Sequence, residues 1–119
     1  MAFEDRKKQG EDFANDVMKE ITGMGFVCAL NGTEHTHPNF VRSLHRSSDP
    51  TSLTIRYAPD AVVQIGIVPA SAYVEIKSTA VIEKQAYENY MRLYLNNCIV
   101  AIICFDKMNE DKRFCFIED

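Results

Sequence analysis

The chain has 119 residues, with 17 acidic against 13 basic side chains and a formal net charge of −4. At 46% hydrophobic and 25% charged it has ordinary globular composition, enough for one core without disulfide or metal staples and too apolar to stay disordered. The longest apolar run, Cys98 to Phe105, is far short of the roughly 20 residues that cross a bilayer, and the start Met1-Ala2-Phe3-Glu4-Asp5-Arg6 does not read as a signal peptide. The expectation is one soluble domain over residues 1–119 with no membrane partner, cytoplasmic, or in the host cytoplasm if a virus encodes it. The acidity excludes nucleic-acid binding through bulk charge, so such a role needs a local basic patch or metal ions held by the acids.

Residues 1–9 are expected to form a flexible N-terminus. Phe13, Val17, Ile21 and Met24 recur at helical spacing and predict a helix over 10–24, ended by Gly23 and Gly25. Phe26 to Leu30 reads as a short strand. Residues 31–52 read as a long loop with Asn31-Gly32, Pro38 and Ser47-Ser48-Asp49-Pro50, in which Asn39 to His45 has the makings of a short helix. This loop is basic: Arg42, His45 and Arg46, with His35 and His37, stand against Glu34 and Asp49 alone.

Leu53 to Gln64 and Ala72 to Thr79 are predicted strands, joined as a hairpin by a turn containing Gly66 and Pro69. Ile82, Ala86, Tyr90 and Leu93 form one stripe of a helix over 81–96. Cys98 to Phe105 is continuously apolar, as in a strand buried on both faces. Asp106 to Lys112 is a polar turn, and Arg113 to Ile117 alternates as an edge strand. The order is α-β-β-β-α-β-β, a mixed α/β class with a central sheet flanked by helices. Cys28, Cys98, Cys104 and Cys115 lie in these apolar runs without C-x-x-C spacing and read as buried free thiols.

The hairpin carries the chemistry. Alternation puts Tyr73, Glu75 and Lys77 on one face of the second strand and Val74 and Ile76 on the other. A turn centred near Ile67 and Val68 sets Asp60 opposite Glu75. Two carboxylates this close repel unless a proton or a cation lies between them. Their hard oxygens suit Mg²⁺ or Mn²⁺, and Lys77 adds a cation near the same spot. Such a set meets the needs of metal-dependent phosphodiester hydrolysis. Against this stands a plain salt bridge across an exposed strand face, which Glu75-Ile76-Lys77 alone would equally suggest.

Pro59-Asp60 followed by Glu75-Ile76-Lys77 resembles the PD-(D/E)xK nuclease superfamily, and Val74-Glu75-Ile76-Lys77-Ser78-Thr79 is similar to the second motif of its Holliday-junction-resolvase and exonuclease branches. The resemblance covers roughly residues 10–105. It implies a restriction-endonuclease-like core of order α-β-β-β-α-β, here with a C-terminal edge strand. It implies Asp60, Glu75 and the backbone carbonyl of Ile76 as ligands of Mg²⁺ or Mn²⁺, and Lys77 as catalytic. A glutamate from the first helix joins the site in many members; Glu11 is the match here, with Glu20 as the alternative and a solvated helix acid as the plain reading of either. The Gln-x-x-x-Tyr of some members is half present, as Gln85 and Asn89 with Tyr90 one place late.

Arg42, His45, Arg46 and Arg56 are candidate phosphate contacts, or ordinary solvated charges. His35 and His37, as His-x-His, have ligand spacing but sit in the predicted loop. Tyr87, Tyr90 and Tyr94 suit core and rim better than base stacking. The implied function is a small Mg²⁺-dependent DNA endonuclease, dimeric if it cuts both strands. The alternatives are a double-stranded-RNA-binding module, which shares the order α-β-β-β-α but has a lysine cluster that the second helix here lacks, and an inactive nuclease-fold interaction protein.

Overall fold

The computed structural model describes residues 3–31, 37–65 and 70–118. In chain order the elements are α1 (Phe3–Gly23), β1 (Val27–Leu30), α2 (Pro38–Leu44), α3 (Pro50–Arg56), β2 (Ala61–Ile65), β3 (Ala70–Lys77), α4 (Lys84–Leu95), β4 (Val100–Asp106) and β5 (Asp111–Phe116). The strands form one sheet in the order β1-β2-β3-β4-β5. Neighbours are antiparallel except β3 and β4, which run parallel with α4 as the crossover that a parallel pair requires. The mixed α/β class, the helices flanking a sheet and the C-terminal edge strand are as expected. No described helix is long and apolar enough to cross a membrane.

Each face of the sheet has its own core. On one, Ala14 and Val17 of α1 pack on Ala61, Val63, Val74, Ile76 and Ala101. On the other, Ala86 and Tyr90 of α4 pack on Val100, Ile102 and Ile117. β4 contributes to both, which explains its unbroken apolar run.

Three local expectations are corrected. The first helix starts at Phe3, not near residue 10. Its leading turns carry no apolar stripe for a pattern to catch, and extending a helix already anchored at Ala14 and Val17 costs little beyond propagation. The strand expected from Leu53 begins only at Ala61, because Leu53 to Arg56 belong to α3. β-Branched Thr54 and Ile55 favour a strand, but the Asp49 carboxylate accepts from the Ser52 N–H at 3.0 Å and Pro50 starts the helix, so capping prevails. The cysteines form no disulfide, yet they are not buried: Cys28, Cys98 and Cys104 are half-buried and Cys115 is exposed on the edge strand. The long loop holds α2, close to the short helix anticipated there; residues 32–36, with His35, and the hairpin turn at 66–69 lie outside the described residues.

Val17→Ala, which removes a side chain only 2% exposed, is expected to lower the unfolding free energy by about 2 kcal/mol. Val27→Ala, at a residue 70% exposed, is expected to change it by less than about 0.5 kcal/mol in the same urea titrations.

Candidate active site

The β2–β3 register pairs Ala61 with Val74, so Asp60, one step before β2, comes level with Glu75. Both are buried, at 9% and 8% exposure. The Asp60 carboxylate accepts the N–H of Ile76 at 3.0 Å. Ile76 lies past the end of its pairing with β2, and the aspartate takes the place of the missing strand neighbour. On β3 the N–H of Tyr73 turns the other way, to the Ile99 carbonyl of the β4 side at 2.8 Å. In an extended strand a residue's N–H and C=O face the same neighbour, so the Ile76 carbonyl opens on the side where Asp60 sits.

Glu75 is the strained member of the pair. Burial, its hydrogen bond to Asp60 and the Asp60 charge together push its carboxyl up to about 10, against the opposing pull of the Lys77 ammonium. Its Oε1 is buried without a hydrogen-bond partner. A proton shared with Asp60 relieves the repulsion but leaves that oxygen unsatisfied; a divalent cation would meet both needs. Lys77 is half-buried two residues on, on the same face of β3.

The segment leading to Asp60 is held from three directions. Pro59 is among the most deeply buried side chains. The Asp60 carbonyl accepts the Asn31 N–H at 2.6 Å. Asn89 of α4, 7% exposed, donates through Nδ2 to the Tyr57 carbonyl at 3.1 Å. Asn89 has no such role in the sequence reading. The available signal was its position: an amide on the core-facing stripe of α4, beside Ala86 and Tyr90, must find a buried acceptor.

Other candidates are placed differently. Glu11 is exposed on α1, which covers the face carrying Val74 and Ile76, opposite that of Glu75. Glu20 is bound to Lys112 of β5. Gln85 is exposed on the first turn of α4, where its neighbour Ala86 faces the core. None of the three joins the Asp60–Glu75 pair among the described contacts. Arg42 lies in the last turn of α2, with His45 and Arg46 just after the helix, all three exposed. Arg56 ends α3, four residues before Asp60, with its guanidinium 5.2 Å over the Tyr57 ring. Arg56 thus lies in the segment that delivers Asp60. His37 is exposed.

Among the described residues no group of three or more His, Cys, Asp or Glu could hold a metal. A separate groove of about 460 Å³ opens between α1, which contributes Asp5, Lys8, Gln9, Asp12, Phe13 and Asp16, and the residues Ser78 and Phe105.

No protein-family model matches the chain, and no curated protein or solved structure matches it.

Two expectations concern stability. A carboxyl held protonated in the folded state but ionised once unfolded makes the native state bind the extra proton, so stability falls as pH rises from about 4.5 toward 10. Without added divalent cation, chemical denaturation across that window should show a decline that Glu75→Gln largely abolishes. Asn89→Ala strands the Tyr57 carbonyl and should cost about 1–3 kcal/mol in the same experiment.

Proposed function

We propose that this chain is a metal-dependent nuclease that hydrolyses phosphodiester bonds in DNA, of the PD-(D/E)xK type. The observation that supports the reading best is the unsatisfied Oε1 of Glu75, buried against Asp60 with Lys77 beside it. The donor set is all hard oxygen, which fits Mg²⁺ or Mn²⁺: Asp60, Glu75 and the Ile76 carbonyl would hold the ion, with water and phosphate oxygens completing its shell. When bound, the ion supplies a more acidic water and neutralises charge on the phosphate.

The chain's own groups do the rest. The Lys77 ammonium donates hydrogen bonds to the attacking water or to a non-bridging phosphate oxygen, where negative charge grows as the water oxygen bonds to phosphorus and the bond to the leaving oxygen breaks. The Ile76 N–H, by fixing the Asp60 carboxylate, orients one ligand before any substrate arrives. Arg42, His45, Arg46 and Arg56 supply the local positive charge that the acidic chain otherwise lacks for gripping a backbone. The double-stranded-RNA-binding alternative draws no support from the element order, because α2 and α3 interrupt α-β-β-β-α between the first two strands.

The test is incubation with supercoiled, single-stranded and branched DNA, and with RNA, in Mg²⁺ or Mn²⁺ and then in EDTA. Cleavage that EDTA stops, and that Asp60→Asn or Lys77→Ala reduces by about 10²-fold or more, is the expected result. Arg46→Ala should weaken DNA retention with less effect on saturated turnover. Absence of both cleavage and calorimetric cation binding would overturn the proposal in favour of a nuclease-fold interaction protein.

A further inference from the structure

The pairings of β3, β4 and β5 line up one row of side chains across the sheet. Lys77 is level with Cys104, and Cys104 with Arg113. Residues level with one another point to the same side of a sheet, so all three share the face that carries Glu75. The core on that face, built on Val100, Ile102 and Ile117 beneath α4, stops one row earlier. Cys104 is half-buried, and the Arg113 side chain is 63% exposed. Its neighbour Lys112 points to the other face and is bound to Glu20 of α1.

Arg113 is anchored at one end of its guanidinium. Its Nε donates to the Asp106 carboxylate at 3.0 Å. That carboxylate is itself fixed by the turn between β4 and β5, accepting the Met108 N–H at 3.0 Å and the Asn109 amide at 2.8 Å. Asp111, level with Asp106 one row further on, accepts the Lys112 N–H at 2.7 Å. The acids of β4 and β5 on this face are thus occupied in the turn. Among the described residues no other acceptor bonds Arg113, which leaves its two Nη groups as donors. A planar guanidinium held through Nε presents a fork of the kind that fits a phosphate.

Lys77 and Arg113 lie two strand spacings apart, roughly 10 Å between Cα atoms. One strand of a duplex carries a phosphate about every 3.4 Å of axis, so the span is that of a few nucleotides. Between the two cations stands Cys104, whose small neutral side chain neither repels an anion nor projects far from the sheet.

We propose that Arg113 is a phosphate-binding residue: with Lys77 on the phosphate to be cleaved, it grips the backbone of the same nucleic-acid strand a few nucleotides away. This rests on the nuclease reading and gives it a direction. The Asp60–Glu75 pair lies on the β2 side of Lys77 and Arg113 on the β5 side, so the bound strand crosses the sheet from one to the other.

The experiment measures binding of a short fluorescein-labelled DNA duplex by anisotropy across a salt series, in EDTA and in Ca²⁺, and cleavage in Mg²⁺ by steady-state kinetics. Lys19→Ala, which removes an exposed cation from α1 on the other side of the sheet, controls for net charge. Arg113→Ala should weaken binding about 3- to 10-fold and reduce the slope of log affinity against log salt by about 1, with Lys19→Ala within about 2-fold of the wild type. Arg113→Lys keeps the charge without the fork and should recover only part of the affinity. In cleavage, Arg113→Ala should raise KM with kcat within about 2-fold, whereas Lys77→Ala lowers kcat. Cleavage and binding in which Arg113→Ala behaves as Lys19→Ala does would overturn the proposal and leave the nuclease reading standing. Retention of DNA that needs Arg113 but never leads to cleavage would uphold the phosphate contact and end the nuclease reading. A wild type that neither binds nor cleaves would overturn both.

Discussion

The N–H of Ile76 has no strand partner, and the Asp60 carboxylate takes it. Much of the local architecture follows from that bond. It draws an acid into the sheet where β2 begins, level with Glu75, whose side chain is committed by alternation to the same neighbourhood. Two buried carboxylates in contact are costly, and a fold keeps them only when surrounding structure leaves no easier arrangement. Here that structure is the buried Pro59, the Asn31 bond to the Asp60 carbonyl and the Asn89 bond to Tyr57. Each fixes the backbone that delivers Asp60.

The cost is local and polar, while stability comes from elsewhere. The two cores lie on either side of the sheet and are built from ordinary aliphatic packing around Val17 and Tyr90. The acid pair sits where β2 begins, with Asp60 between the fully buried Pro59 and Ala61, and α3 feeds the chain in with Arg56 at its last turn. The surrounding packing thus holds two carboxyl groups together that would otherwise separate. The edge strand is a second exposed feature of the same sheet. Its aromatic residues Phe114 and Phe116 lie outside both cores, 62% and 38% exposed.

Several features were legible in the residues themselves. The hairpin register followed from where Gly66 and Pro69 allow a turn, and with it the meeting of Asp60 and Glu75. The helix anchored at Phe13, Val17 and Ile21, the crossover helix, the doubly buried β4 and the edge strand all follow from period. The misreadings have physical causes. Leu53 to Arg56 read as strand from β-branched Thr54 and Ile55, whereas the cap and proline in Ser48-Asp49-Pro50 start α3. Glu11 is implied only by the family resemblance, and its angle on its own helix does not say which sheet face that helix covers.

What the sequence determined by itself was pattern: which stretches are helix or strand, how the hairpin aligns, and which residue types meet across it. These depend on local spacing and on the two-residue period of the pleat. What only the tertiary structure decided was sidedness and satisfaction. It placed α1 and α4 on opposite faces, matched Asn89 with the Tyr57 carbonyl, gave the Ile76 N–H to Asp60 and left one Glu75 oxygen unmet. Those outcomes depend on how elements distant in sequence pack, and no short-range periodicity carries that information.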